Sequence, residues 1–300
     1  MRVLWRKFSL LAIALSSYAT AANAGAPPQK LPSALLVFPL IQADGNRDTR
    51  IELLNLSGDP QEVNCFYVDG DSCNEIGFII SLTPYQPVAW FAGGGVNNVS
   101  SGSAAPPFFG EGELKCVVVP PHPETEFHNT IQGRATVFGL DGQTVAYGAV
   151  GFQRLIAGDF TGTVSLDGTT YTQCPDRLHF DALTEQSGSV SEMVLAPCSQ
   201  DLLLQTIPSI VVQFQIINEF EQSFSTSITV TCFTHSTLDE ISDAFSRATA
   251  GTDTIHVVLR GSTGPLLGLM IDQVPFGGMS GSAGNEPAFQ GGRSATVVFP

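Results

Sequence analysis

Basic residues are scarce in this 300-residue chain: Lys and Arg number 13 against 28 Asp and Glu. Setting aside Arg2, Arg6 and Lys7 of an N-terminal leader leaves 10 against 28, a net charge of −18. Phosphate recognition needs clustered Lys and Arg, so this balance excludes a nucleic-acid partner and disfavours an anionic lipid surface. No apolar run reaches the roughly 20 residues of a spanning helix, so the chain is not read as transmembrane. Helical periodicity is nearly absent as well, and with it goes any helix-bundle reading. No cofactor fingerprint is found, and the cysteine spacings fit no zinc pattern.

The leader itself is informative. Arg2, Arg6 and Lys7 precede an apolar run from Phe8 to about Leu15, and small residues end in Ala22-Asn23-Ala24. That order predicts a signal peptide over residues 1–24, and hence a secreted or periplasmic protein starting at Gly25. Cys65, Cys73, Cys116, Cys174, Cys198 and Cys232 all follow the leader. An even number in an oxidising compartment predicts three disulfides.

Short runs of 6 or 7 residues, bounded by Gly, Pro, Asn, Asp or Ser, set the rhythm of an all-β fold. They are predicted at 34–39, 50–56, 62–68, 77–82, 87–92 and 113–119. Asp141-Gly142 and Asp167-Gly168 each lie between β-rich runs and predict hairpins, because such turns need positive φ. A third hairpin is expected between 177–183 and 191–197. It would bring together Cys174 and Cys198, which flank its open end. For the other four cysteines three pairings remain; Cys65 with Cys116 is preferred, because both alternate with apolar neighbours that can meet inside a sandwich. One helix is expected over 238–250, capped by Thr237 with Glu240 three positions on and stopped by Gly251.

Several landmarks recur in the same order. Leu53-Leu54-Asn55 is echoed by Ile216-Ile217-Asn218 and Cys65-Phe66 by Cys232-Phe233. Ser33 to Pro39 aligns with Ser191 to Pro197, and Cys116 to Pro120 with Thr296 to Pro300. They predict an internal duplication, two antiparallel β-sandwich-like units divided into domains 25–157 and 158–300.

The strings N-C-F-Y-V, T-P-Y-Q-P-V-A-W, G-E-L-K-C and V-L-A-P-C-S-Q-D, from Asn64, Thr83, Gly112 and Val194 onward, resemble a group of exported bacterial proteins. The resemblance covers most of the chain after the leader. It implies secretion and a β-rich fold and carries no functional residue.

Candidate chemistry is sparse. His122, Glu124, Glu126 and His128 fall at alternate positions, so an extended chain shows all four on one face, as a divalent metal requires. Pro120, Pro121 and Pro123 favour a solvated loop instead. Asp69, Asp71, Asn74 and Glu75 offer oxygen ligands, which makes calcium the one cofactor to consider, although their spacing departs from the 12-residue calcium loop. Gly278-Met-Ser-Gly-Ser282 misses the last glycine of a nucleophile elbow. Trp90, Phe91, Phe108 and Phe109 flank a Gly- and Ser-rich loop, 93–112, which is expected to be mobile. The four aromatics are candidates for a platform that holds a protein or glycan ligand, against the plainer role of core edge. The expected function is that of an exported structural or binding protein at or outside the cell envelope, with no catalysis inferred. An extracellular hydrolase is the alternative.

Overall fold

A computed structural model describes residues 31–98, 103–119, 128–140, 142–157, 160–184, 188–276 and 279–300. The predicted signal peptide over 1–24, the candidate ligands His122, Glu124 and Glu126, and the Gly278 end of the serine motif lie outside the described residues.

The described part of the chain up to residue 157 holds β1 (Leu35–Ala43), β2 (Arg47–Asn55), β3 (Gln61–Asp69), β4 (Glu75–Leu82), β5 (Pro87–Phe91), β6 (Val96–Asn98), β7 (Ser103–Ala105), β8 (Gly110–Val119), β9 (Ile131–Gly139), β10 (Thr144–Gly148) and β11 (Val150–Phe152). All belong to one sheet, in the order β10-β9-β2-β1-β8-β3-β4-β7-β6, with β5 beside β2 and β11 beside β1. Between β1 and β2 the only register pair is Ala43 with Asp48. The sheet therefore folds over at that corner into two leaves, β10-β9-β2-β5 and β1-β8-β3-β4.

Period-two alternation drives the packing. On β2, Ile51 and Leu53 are buried, while Arg50 and Glu52 stay partly open to solvent. On β1 every residue is buried. Leu36, Phe38 and Leu40 enter the core between the leaves, and Leu35 and Val37 enter a second core on the far side. A strand buried on both faces reads as a continuous apolar run, and 35–41 is one.

The second half holds β12 (Thr163–Leu166), β13 (Arg177–Leu183), β14 (Val190–Pro197), β15 (Gln200–Asp201), β16 (Ser209–Asn218), β17 (Ser223–Thr231), β18 (Thr234–Thr237), β19 (Thr254–Gly261), β20 (Leu266–Phe276), β21 (Met279–Asn285), β22 (Ala288–Gln290) and β23 (Ala295–Val298). They form three sheets: β12-β23-β15, β17-β16-β19-β13-β22 and β18-β14-β20-β21. The last two sandwich a third core around Phe180, Phe214 and Met270. The small first sheet closes the core it shares with β1, β3 and β8, where Phe66 meets Phe299 at 5.0 Å between ring centres.

The fold is all-β, as the rhythm of short strands predicts, but several expected contacts are replaced by longer-range ones. β12 does not return on itself after Asp167-Gly168; its partner is the C-terminal β23. Asp167 still makes the turn, accepting the N–H groups of Thr169 and Thr170. β13 and β14 make no hairpin, since they belong to different sheets. Cys174 is nevertheless bonded to Cys198, across sheets and not at a hairpin mouth. Cys65 faces Cys116 directly on neighbouring strands, so their bond staples one sheet and does not cross a sandwich. The third disulfide, Cys73 to Cys232, ties the two halves together.

The helical stretch is broken into three single turns: α1 (Leu238–Ile241), a 3-10 turn (Asp243–Phe245) and α2 (Arg247–Ala250). The capping box of Thr237 and Glu240 is present and Gly251 ends the stretch at φ 72. Ser242 and Ser246 interrupt it, because each is extended and its hydroxyl accepts an N–H of the following turn.

The aligned landmarks do not share one pairing order. β1 pairs with β8, whereas β14 does not pair with β23; β16 and β17 form a hairpin, whereas β2 and β3 are not paired. The residue alignment is thus corrected, and a local device explains its strongest string. Asn55 and Asn218 are both buried at a strand end, and the side-chain oxygen of each accepts the N–H two residues on, from Ser57 at 2.9 Å and Phe220 at 3.0 Å.

Candidate functional site

The outer face of the leaf β10-β9-β2-β5 combines the features a binding site needs. Its register sets Phe91 opposite Arg50, Arg50 opposite Thr136, and Thr136 opposite Ala146. The next row is Ala89, Glu52, Arg134 and Gly148. In the second row Ala89 and Gly148 at the ends leave Glu52 and Arg134 standing in the middle, with Arg50 beside them. Glu52 accepts from Arg50 at 2.8 Å and from the Arg134 guanidinium. The Arg134 hydrogen bond, aided by Arg50, holds the Glu52 carboxyl below the ordinary range.

A cleft of about 900 Å³ opens on this face, within the range of ligand sites. Leu31, Leu54, Pro87 and Ala89 supply apolar wall, and Arg50, Glu52 and Arg134 supply charge. Glu286, from the loop after β21, closes one side and accepts the Gly148 N–H at 2.8 Å. Both halves of the chain therefore build the cleft.

At the other end of the same face lies a shallower notch of about 380 Å³, bordered by Arg47, Asp48, Phe109, Phe138 and Leu140. Phe91 packs beside Phe138 with ring centres 6.0 Å apart. Phe109 is 73 % exposed and Leu140 82 %. Large apolar groups exposed together on an acidic surface mark a contact surface more than a packing accident.

The four aromatics picked from the sequence divide evenly. Phe109 borders the notch, and Phe91 packs on Phe138 at its edge. Trp90 and Phe108 are core: the Trp90 indole N–H donates to the Tyr67 hydroxyl at 2.7 Å, and Phe108 stacks on Tyr67 at 4.9 Å. A single-residue step along a strand reverses the face, which separates Trp90 from Phe91. Phe138 and Leu140 were not singled out by sequence; Phe138 is exposed by the alternation of β9, and Leu140 follows the strand just before Gly142.

The loop 93–112 is anchored at both ends. Asp48 accepts the Gly93 N–H at 3.0 Å, and Phe108 donates its N–H to the Ala92 carbonyl at 2.8 Å. A side chain at Gly95 would lie 2.4 Å from the Ala105 carbonyl, so the backbone passes there in close contact. This replaces the expectation of a mobile loop over these segments; 99–102 lie outside the described residues.

Among the described residues no cluster of three His, Cys, Asp or Glu is placed to hold a metal ion. Asp69 instead caps its own turn, accepting the Ser72 N–H and hydroxyl, and Asp71 is exposed. His128 sits at φ 45 just before β9. The other described histidines pair with acids or one another. His256 meets Asp181 at 2.8 Å and His179 at 3.3 Å, and His235 lies between Glu111 at 3.0 Å and Glu192 at 3.1 Å. None of these three has a hydroxyl among its hydrogen-bond partners. Burial works against a charged His235, but its two carboxylate hydrogen bonds outweigh it and push the pKa up to about 9.

Among the described residues no helix is long and apolar enough to cross a membrane. No protein-family model matches the chain, and no curated protein matches it. Of the solved structures it is similar to the PBSX exported protein XepA, at 10% identity over 79% of this chain and 85% of that one, with a TM-score of 0.19; a likeness of that size supports neither a shared fold nor a shared activity.

Proposed function

We propose that the chain is an exported binding protein that holds a polypeptide segment across the outer face of β10-β9-β2-β5. The observation that carries this reading is the run of apolar notch, charged trio and cleft on one face. From Asp48 to Leu54 that face is about 20 Å long, the reach of a six- or seven-residue extended segment. A polypeptide suits it better than a glycan. The exposed groups of the notch are Phe and Leu, which have no polar edge to share with sugar hydroxyls, whereas Phe91, Phe109 and Leu140 match apolar side chains. Binding fits better than hydrolysis, because among the described residues the partners of His179, His235 and His256 are acids, an amide and each other. Three disulfides fit an oxidising compartment outside the cytoplasm, and the leader accounts for delivery there.

Selection from a displayed random-peptide library on the purified chain from Gly25 onward tests the reading. Enriched peptides should lose at least about tenfold in affinity on Phe91→Ser or Phe138→Ser, roughly 1.4 kcal/mol. Enrichment no better than that on a quadruple Ser variant at Phe91, Phe109, Phe138 and Leu140 would reject it.

A further inference from the structure

The strand β17 stands at the end of its sheet and, among the described residues, pairs with β16 alone. It is nine residues long, S-F-S-T-S-I-T-V-T, while the strands that end the other described sheet paths run from two to seven. Proteins blunt exposed edges by keeping them short or by placing charge, proline or a bulge on them. β17 has no charge and no proline, in a chain that carries −18 after the leader.

Its hydrogen-bonding phase is set by its ends. Asn218 donates its N–H to the Gln222 carbonyl at 3.1 Å, and Cys232 to the Pro208 carbonyl at 3.1 Å. Because hydrogen-bonded pairs alternate in an antiparallel ladder, Phe224, Thr226, Ile228 and Val230 face β16 with their backbone groups. Ser223, Ser225, Ser227 and Thr229 then point theirs out of the sheet edge. Thr231 belongs to the same outward set, and among the described residues its carbonyl alone is taken, by the Phe233 N–H at 2.7 Å.

We infer that the free edge of β17 pairs with β17 of a second copy of this chain, antiparallel about a two-fold axis at Ser227, joining two five-stranded sheets into one. The sequence is self-complementary in that register. Ser225 opposes Thr229, so hydroxyls meet on the outer face. On the inner face Phe224 opposes Val230 and Thr226 opposes Ile228. Phe224 and Ile228 are only partly buried in the single chain, and the second strand covers them. Such pairing forms about eight inter-chain hydrogen bonds, six from the three pairs among Ser225, Ser227 and Thr229 and one from each of the two pairs of Ser223 with Thr231. A partner of opposite charge gains nothing at an uncharged edge, whereas a second acidic copy meets no like charge there.

Sedimentation of the disulfide-intact chain from Gly25 onward should show a concentration-dependent dimer. Ser227→Pro removes an N–H that points away from β16, and Ser227→Lys sets two cations face to face; both should sediment as folded monomers with unchanged circular dichroism. Spin labels at Ser227 should lie next to each other, and labels at Ser223 about 27 Å apart, eight residues along the paired strands. A wild type that stays monomeric, a dimer that survives both substitutions, or an edge that pairs only with a foreign strand would overturn the inference.

Discussion

Cys73, in the turn after β3, is bonded to Cys232, at the end of β17, although 159 residues separate them in the chain. It is the covalent tie between halves whose strands never pair with one another among the described residues. Closing so long a loop removes most from the unfolded ensemble, by chain-entropy reasoning about 5 kcal/mol. Replacing both residues by Ala should therefore lower the unfolding free energy by up to that amount. Non-reducing denaturant titration reads it, and a loss under about 1 kcal/mol would show that the halves need no tie.

A charged cluster joins the same halves without a covalent bond. Glu111 of β8 takes a hydrogen bond from Gln42 at 2.5 Å and pairs with His235 of β18, which also meets Glu192 of β14. Gln273 donates to Glu192 at 2.6 Å and Arg47 stands 4.0 Å away. The pKa of His235, about 9, lies above the unfolded value near 6.5. Its contribution is fully present below about pH 6.5 and is lost as pH rises through about 9. Unfolding free energy of the wild type minus that of His235→Gln should fall across that window, by a total on the order of 3 kcal/mol. A flat difference would mean that the ring is neutral in the fold.

Trp90→Phe should cost about 1 to 3 kcal/mol, because it leaves the buried Tyr67 hydroxyl without its donor. Phe91→Ser, one position along, should stay within about 0.5 kcal/mol, since Phe91 is 44 % exposed. Thermal melts of the two variants should separate clearly. Equal losses would mean that Phe91 too is core and that no notch exists.

Gly112→Ala tests the close approach of β8 and β3. Its new methyl carbon would lie 2.0 Å from the Val68 carbonyl oxygen, backbone that cannot rotate away. Expression without a cooperative melt is the expected outcome; a melting temperature like that of the wild type would show that the strands can part.

Alternation, turn residues and composition were legible because they are local. Ile51, Leu53, Val63 and Cys65 announce strand faces by their period of two. Gly142 announces a hairpin that β9 and β10 do form, Phe138 opposite Thr144. Ser242 shows the limit of that reading: helical periodicity runs through it, yet its hydroxyl competes for the backbone and divides the helix. The echo between Asn55 and Asn218 was legible too, but it records a shared turn device and not a shared strand order.

Charge, six cysteines and the rhythm of short strands by themselves determine an acidic, disulfide-bonded all-β chain, because each rests on composition or on neighbours along the sequence. Which strands meet was decided only in three dimensions. β12 can choose between the run after Asp167-Gly168 and the distant β23, and β13 between β14 and β19. The apolar faces are alike in each case, so burial in a shared core, and not local pattern, breaks the tie. The same holds for the binding face. Arg50, Glu52 and Arg134 are ordinary surface residues in sequence, and they become a trio only because β2 and β9 lie side by side.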